Sequence, residues 1–415
     1  MTTERADHEY LVGRIVSGAE IINDGLVAFV EDRIHYAGTR EGFLHEVGTN
    51  PVASGWRQSD QSATDSLLLP GMVDLHCHGA AGFDFSDGNE VGNRTAAGHQ
   101  HECGTTTLLA STMALPHGRL LRAFEALNTL VDEELVSGIH SEGPYLSPQR
   151  CGAQNPDFVR EPNERELIEL LHAAAGNLLT MTCAPELNNS AMLVDILTTH
   201  GVTPSLGHTN ADASTTEASL QLISEEMASA GFDGHFGKPT VTHLFNAMPP
   251  MHHRDPGPIP VFLRTAAEGN AVVELIADGV HVDPEVIRTV FALLGPNAIA
   301  LVSDSTAVTG LPDGEYLLGG APVTIRGSTI ELKRSHTLAG GAGFLLDVVR
   351  AAVAAGVELA DAVSSATATP AEVMGLADEV GALRNGLRAD CLVVNSDLDL
   401  VAVVRRGEWL RTKRC

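Results

Sequence analysis

Two histidines one residue apart, in Asp74-Leu75-His76-Cys77-His78, close an apolar run that begins at Leu67. Side chains alternate along an extended segment, so both imidazoles fall on one side and can grip one ion. A lone pair of this kind is weak evidence, but ligand-type residues recur at comparable places further on. Glu142 follows His140-Ser141, His208 follows Gly207, His243 follows Thr242, and Asp304 follows Val302-Ser303. One carboxylate with several neutral imidazoles and no thiolate pair suits Zn²⁺ or Fe²⁺ in an open catalytic site rather than a closed structural one. The chemistry implied is hydrolysis. Such an ion lowers the pKa of a bound water to roughly 7 and polarises a carbonyl, while a nearby carboxylate accepts the proton of that water. Asp304 is the candidate for that base. If one ion binds, Glu142, His208 and His243 suffice with water as fourth ligand; if two bind, Glu142 must bridge them. The three lysines, Lys238, Lys333 and Lys413, stand at no expected strand end, so a carboxylated lysine bridge is not expected.

These residues share a place in a repeated pattern. From about residue 67 to 303, short apolar or β-branched runs alternate with polar loops and segments of helical spacing. Eight runs are read as strands: Leu67 to Leu75, Thr105 to Ala110, Ser137 to His140, Leu179 to Ala184, Val202 to Leu206, Thr240 to Leu244, Ala271 to Ala277 and Ala298 to Val302. Helices are expected at Asn163 to Ala175 and at Ala211 to Ala230, the latter with Asn210 or Asp212 as N-cap. Eight alternations predict an α/β fold of the (β/α)8 TIM-like barrel type, with an open doubly wound sheet as the alternative. In such a barrel, reactive groups stand at the C-terminal ends of the strands. The termini differ: residues 10–37 and 381–410 are rich in β-branched residues with closely spaced turn residues. We expect residues 1–66 and 381–415 to build one small β-sandwich beside a catalytic barrel of residues 67–380. A hairpin insertion is expected at about 312–335, where Tyr316 to Leu332 could form a lid.

Composition narrows the partners. The 415 residues are 44% hydrophobic and 19% charged, which excludes a disordered chain. With 26 Lys+Arg against 53 Asp+Glu, the net charge of -27 has the wrong sign for nucleic acid or anionic lipid. No apolar run approaches the roughly 20 residues of a membrane span, and MTTERADHEY lacks the pattern of a secretory leader, so a cytoplasmic location is expected. Six scattered cysteines without a CxxC pair are expected as reduced thiols. No GxxxxGK[ST] loop signals nucleotide hydrolysis.

Longer stretches carry a family resemblance: LPGMVDLHCHG (69–79), HSEGPYLSPQRCGAQNP (140–156), APE (184–186), GHTNA (207–211), THLFNAMPPMHHRDPG (242–257), DGVHV (278–282), VSDS (302–305) and LAGG (338–341). The chain resembles the amidohydrolase superfamily and, within it, the N-acetylglucosamine-6-phosphate deacetylases. The HxH pair marks only the superfamily; EGP, GHTNA and THLFNAM in this order mark the deacetylase branch. The resemblance implies that Glu142, His208 and His243 hold the principal metal, with His76 and His78 holding a second ion in members that keep both. It implies Asp304 as general base and later as acid for the leaving amine. Gln154, Asn246 and Ala247 match positions that contact the sugar phosphate, and Arg254 and His281 match its phosphate ligands. A fork of guanidinium donors suits a phosphate. The implied reaction converts N-acetylglucosamine 6-phosphate to glucosamine 6-phosphate and acetate, in amino-sugar catabolism and cell-wall recycling. The implied assembly is a homodimer in which Arg254 serves the neighbouring site. Alternatives are a deacetylase of another N-acetyl hexosamine and a non-catalytic sugar-phosphate-binding barrel. Two positions depart from the family pattern. Gln154 replaces a usual histidine, and Gly341 stands where a serine often follows Leu-Ala-Gly. Cys151 lies in the same loop as Gln154.

Overall fold

The computed structural model describes residues 8–232 and 237–410; Lys413 and Cys415 lie outside them. Eight parallel strands form one sheet: β1 (Met72–Cys77), β2 (Thr105–Thr112), β3 (Gly138–Glu142), β4 (Leu178–Cys183), β5 (Thr203–Leu206), β6 (Thr240–Val241), β7 (Val272–Leu275) and β8 (Ile299–Leu301). Each strand pairs with the next in sequence. The sheet closes just past the strand ends, where Asp304 N–H donates to His76 O at 3.0 Å and His78 N–H donates to Ser305 O at 2.7 Å. Closure therefore runs through three of the candidate site residues, His76, His78 and Asp304. The architecture is the expected α/β barrel, and an open sheet does not describe it.

The strands are buried on both faces and accordingly read as continuous apolar or β-branched runs. A helix follows each one and returns the chain to the bottom of the barrel. The helix Pro284–Leu294 shows the local logic: Asp283 caps it by accepting from Glu285 N–H, proline opens it, and Ile287, Val290 and Phe291 make its buried stripe. The expected helices lie at Glu164–Ala174 and Ala213–Ser229, and Asp212 is the N-cap of the second.

One strand reading is corrected. The run Leu67 to Leu75 is two strands in two sheets, Leu67–Pro70 and Met72–Cys77, divided at Gly71. Gly71 N–H donates to Asp390 O, and a Cβ built there would lie 2.1 Å from Thr106 Oγ1. Only glycine lets the backbone pass this close to the next strand. An unbroken apolar pattern cannot reveal such a break.

Leu67–Pro70 belongs to a second sheet assembled from both ends of the chain. Its main order is Glu408–Leu410, Leu400–Arg405, Cys391–Val394, Leu67–Pro70, His8–Ser17, Glu20–Val30 and Arg33–Thr39. Alternate residues of its strands serve two apolar clusters. Leu11, Val27 and Phe29 pack with Leu387 and Val393, while Tyr10, Val12 and Leu26 pack with Phe43 and Trp56.

The expected insertion is a three-stranded antiparallel sheet, Gly314–Leu318, Ala321–Arg326 and Thr329–Leu332. Its apolar face, with Val323, Ile325 and Ile330, packs on Ala307 and Val308, and Ala153 leans against it. Cys77, Cys151, Cys183 and Cys391 are free thiols. Cys103 is disulfide-bonded, which departs from the expectation of reduced thiols throughout. Among the described residues no helix is long and apolar enough to cross a membrane.

Candidate metal centre

The C-terminal ends of the strands bring the sequence candidates together. His76 lies on β1 and His78 just past it, Glu142 ends β3, and His208, His243 and Asp304 follow β5, β6 and β8 by two or three residues. Two groups of potential ligands result: Glu142, His208 and His243, and His76, His78 and Asp304. All except Asp304 are buried, and the side chain of Asp304 is 14% exposed.

The first group converges on one oxygen. His208 Nε2 and His243 Nε2 each lie 2.9 Å from Glu142 Oε1 and 3.1 Å from each other. In the second group His76 Nε2 and His78 Nε2 are 3.0 Å apart, and each is 3.6 Å from Asp304 Oδ1. Glu142 reaches both groups, with Oε1 3.5 Å from His76 Nε2 and Oε2 3.3 Å from His78 Nε2. Four imidazole nitrogens aimed at two carboxylates in a buried cleft fit divalent cations. The donor chemistry fits no closed thiolate site, since Cys77 points its Sγ at Gly79 O.

The backbone is strained where it presents these groups. His208, His243 and Asp304 have φ of 47°, 29° and 46°, and Phe245 and Ala247 have 79° and 53°. Left-handed backbone costs a non-glycine residue on the order of 1–2 kcal/mol and persists only where surrounding contacts enforce it. For Asp304 those contacts are its N–H on His76 O and its carbonyl, which accepts from Gly341 N–H at 2.7 Å.

A surrounding layer orients the ligands. His76 Nδ1 meets Glu274 Oε2 at 3.0 Å and His208 Nδ1 meets Arg150 O at 2.8 Å, which directs each Nε2 into the site. His140 packs edge-on against His76, with ring centroids 4.5 Å apart. Its Nδ1 contacts Ser111 Oγ at 2.9 Å and its Nε2 contacts Thr182 Oγ1 at 2.8 Å. Asp74 Oδ1 accepts from His76 N–H and Ser303 N–H, tying β1 to β8.

Charge is finely disposed. Burial pushes the Asp74 and Glu274 carboxyls up to about 7. Burial also acts to raise Glu142, yet His208 and His76 outweigh it and hold that carboxyl well below its usual range. Burial lowers His76 to about 4, whereas at His78 the hydrogen bond and charge of Glu142 overcome burial and lift it to about 9.

Gln154, from the loop after β3, also enters the site: its Nε2 donates to Glu142 Oε2 at 2.6 Å. Ala247 lies by Gly152, whose built Cβ would sit 3.3 Å from the His208 ring. The remaining candidates have local partners. Asn246 Nδ2 donates to Leu244 O, exposed Arg254 rests Nη1 on His253 Nε2, and His281 Nδ1 donates to Asp278 Oδ2 at 2.7 Å.

Sequence reasoning missed Glu274, Asp74 and His140. Glu274 carried a usable signal, for it is the one charged residue in the run AVVELIA (271–277), and a charge inside a buried strand needs a partner. His140 ends the expected strand Ser137 to His140 with no signal of its own.

The amidohydrolase family model matches residues 67–410. The chain is 33% identical over 409 residues to N-acetylglucosamine-6-phosphate deacetylase of Bacillus subtilis (strain 168), covering 95% of this chain and 94% of that one. It is 30% identical over 385 residues to N-acetylgalactosamine-6-phosphate deacetylase of Escherichia coli O157:H7, covering 90% and 94%. Among solved structures it is similar to a mutant N-acetyl-D-glucosamine-6-phosphate deacetylase from Mycobacterium smegmatis in complex with N-acetyl-D-glucosamine-6-phosphate. The TM-score is 0.85 at 32% identity, over 97% of this chain and 99% of that one. With the fold, the ligand groups and these relatives in agreement, the chain belongs to the amidohydrolase family, within its N-acetylglucosamine-6-phosphate deacetylase branch, and is a hydrolase.

Proposed function

We propose that the protein hydrolyses the acetamide of N-acetylglucosamine 6-phosphate, releasing acetate and glucosamine 6-phosphate. The observation that carries this reading is the pair of ligand groups sharing Glu142, with the Asp304 carboxylate beside both His76 and His78. A divalent cation, Zn²⁺ or Fe²⁺, held by Glu142, His208 and His243 would supply Lewis acidity and a more acidic water; His76 and His78 would hold a second. Asp304 Oδ1 takes the proton of the attacking water and returns it to the amide nitrogen as the C–N bond breaks. Water oxygen thus enters the acetate and the proton leaves on the amine. Its partial exposure gives Asp304 a path to substrate that buried Glu142 lacks.

Asn246 and Ala247, in the strained turn after His243, border the sugar. Arg254 and His281 bind its phosphate, and Asp278 fixes the His281 ring through Nδ1. In a homodimer Arg254, exposed here, would reach the neighbouring site. The similarity to an N-acetylgalactosamine-6-phosphate deacetylase favours one second reading, the epimeric sugar phosphate. A cytoplasmic place in amino-sugar catabolism follows from a phosphorylated substrate.

The test is acetate release from both N-acetylhexosamine 6-phosphates and from unphosphorylated N-acetylglucosamine, before and after chelation and after zinc or iron is restored. Chelator-sensitive release, far faster from a phosphorylated sugar than from the unphosphorylated one, is the expected result. Release that survives full metal removal overturns the metal mechanism, and no release from either phosphate overturns the substrate.

A further inference from the structure

We propose that Gln154 is a positioning residue that holds Oε2 of Glu142 and thereby makes the two ligand groups unequal in their hold on a cation. The inference rests on the reading of Glu142 as a ligand shared by both groups.

The Gln154 amide is engaged at both ends. Its Oε1 accepts from Ala114 N–H at 2.7 Å, which fixes which end is oxygen. Its Nε2 then points at Glu142, donating to Oε2 at 2.6 Å and lying 3.4 Å from the Glu142 carbonyl. An amide nitrogen has two hydrogens, and both face Glu142. Gln154 is only 8% exposed, so little of it is free for a sugar, and this assignment takes it out of the role of sugar contact.

The geometry divides the carboxylate. Oε1 faces His208 and His243 at 2.9 Å each, with His76 Nε2 further off at 3.5 Å, whereas Oε2 faces His78 at 3.3 Å and Gln154 at 2.6 Å. A cation among Glu142, His208 and His243 draws on an oxygen that the amide leaves alone. A cation among His76, His78 and Asp304 that also drew on the nearer oxygen of Glu142 would share Oε2 with a charge-assisted hydrogen bond. The amide thus fixes the carboxylate plane for the first group and weakens the donor offered to the second. The neutral donor suits this role, since a cationic side chain there would add repulsion to both ions.

The experiment is zinc titration of the chelated protein, with zinc per chain measured by equilibrium dialysis across a range of buffered free zinc. The native chain is expected to take up two ions with dissociation constants at least ten-fold apart. In Gln154→Met, which keeps length and loses the donor, the ratio of the two constants is expected to fall about ten-fold. Two native ions of equal affinity overturn the proposal, as does a single ion in both proteins. Equal weakening of both ions in the variant also overturns it, because that is what a merely structural role produces. If Gln154→Met does not fold, Gln154→Asn serves, its amide one methylene short of Oε2. A native chain that releases no acetate from amino-sugar phosphates, yet shows unequal ions that converge in the variant, defeats the proposed substrate and leaves this inference standing.

Discussion

Glu274, buried at the end of β7, accepts a hydrogen bond from Nδ1 of His76 on β1, 3.0 Å away and 198 residues earlier in the chain. With Glu274 ionised, the contact places the His76 proton on Nδ1 and leaves Nε2 to face the ligand cluster. The same carboxylate lies 3.4 Å from His243 N–H, so one buried acid touches residues of both ligand groups. Glu274→Ala is expected to weaken zinc binding by about 10–100-fold. Glu274→Gln, whose amide oxygen can still accept, should lose less. Competition against a chelator of known affinity measures both, and an unchanged constant in the alanine variant removes Glu274 from the centre.

Asp304 stands apart from the other candidate ligands by its exposure. Asp304→Asn is expected to retain the zinc held by Glu142, His208 and His243 while acetate release falls by about 10²–10⁴-fold. Metal analysis and turnover on the same preparation decide it. Full activity in the variant would exclude Asp304 as the proton carrier.

Gly341 supports Asp304 from behind. A Cβ built on Gly341 would lie 2.1 Å from Ser303 O, a backbone atom that cannot swing aside. Gly341→Ser is therefore expected to destabilise the fold by about 1–3 kcal/mol and to displace Asp304. Thermal denaturation beside acetate release checks this. A variant as stable and active as the native chain would mean that the loop relaxes freely.

The proposed phosphate ligands are Arg254 and His281. In Arg254→Ala the KM for the phosphorylated sugar should rise at least ten-fold, with kcat and the slow turnover of unphosphorylated sugar little changed. An equal effect on both sugars would place Arg254 elsewhere in the mechanism.

The thiols give a prediction independent of substrate. Burial, with the charge of Glu186 adding to it, pushes the Cys183 thiol up to about 12, and burial raises Cys391 as well. The thiolate is the reactive form, so its population at pH 8 is very small at both. Half-buried Cys151 should be alkylated first by iodoacetamide, with Cys183 and Cys391 modified only after unfolding. Raising the pH to 9 should not change that order, because 9 remains far below the folded Cys183 value. Peptide mapping after timed alkylation reads it directly.

Much of this molecule was legible in its sequence because two strong patterns coincide. Eight apolar strand runs alternating with helical segments favour a closed barrel over an open sheet, and His76, His78, Glu142, His208, His243 and Asp304 recur at one end of that repeat. Residue type and place in the repeat together identify donors and chemistry. Where a signal was local, as before the helix Ala213–Ser229, the cap could be narrowed to Asn210 or Asp212, and it is Asp212.

What the tertiary structure alone decided concerns contacts between residues far apart in the chain. The break at Gly71 depends on a neighbouring strand, not on the apolar run that contains it. The pairing of His76 with Glu274, and of Gln154 with Ala114 and Glu142, depends on which strand ends meet when the barrel closes. The left-handed backbone at His208, His243 and Asp304 is imposed by its surroundings against local preference, so no local pattern encodes it. The sequence picked out the candidate ligands, because composition and periodicity are properties of a line of residues. Their division into two groups around Glu142 needed the closed barrel, because only closure sets distances across it.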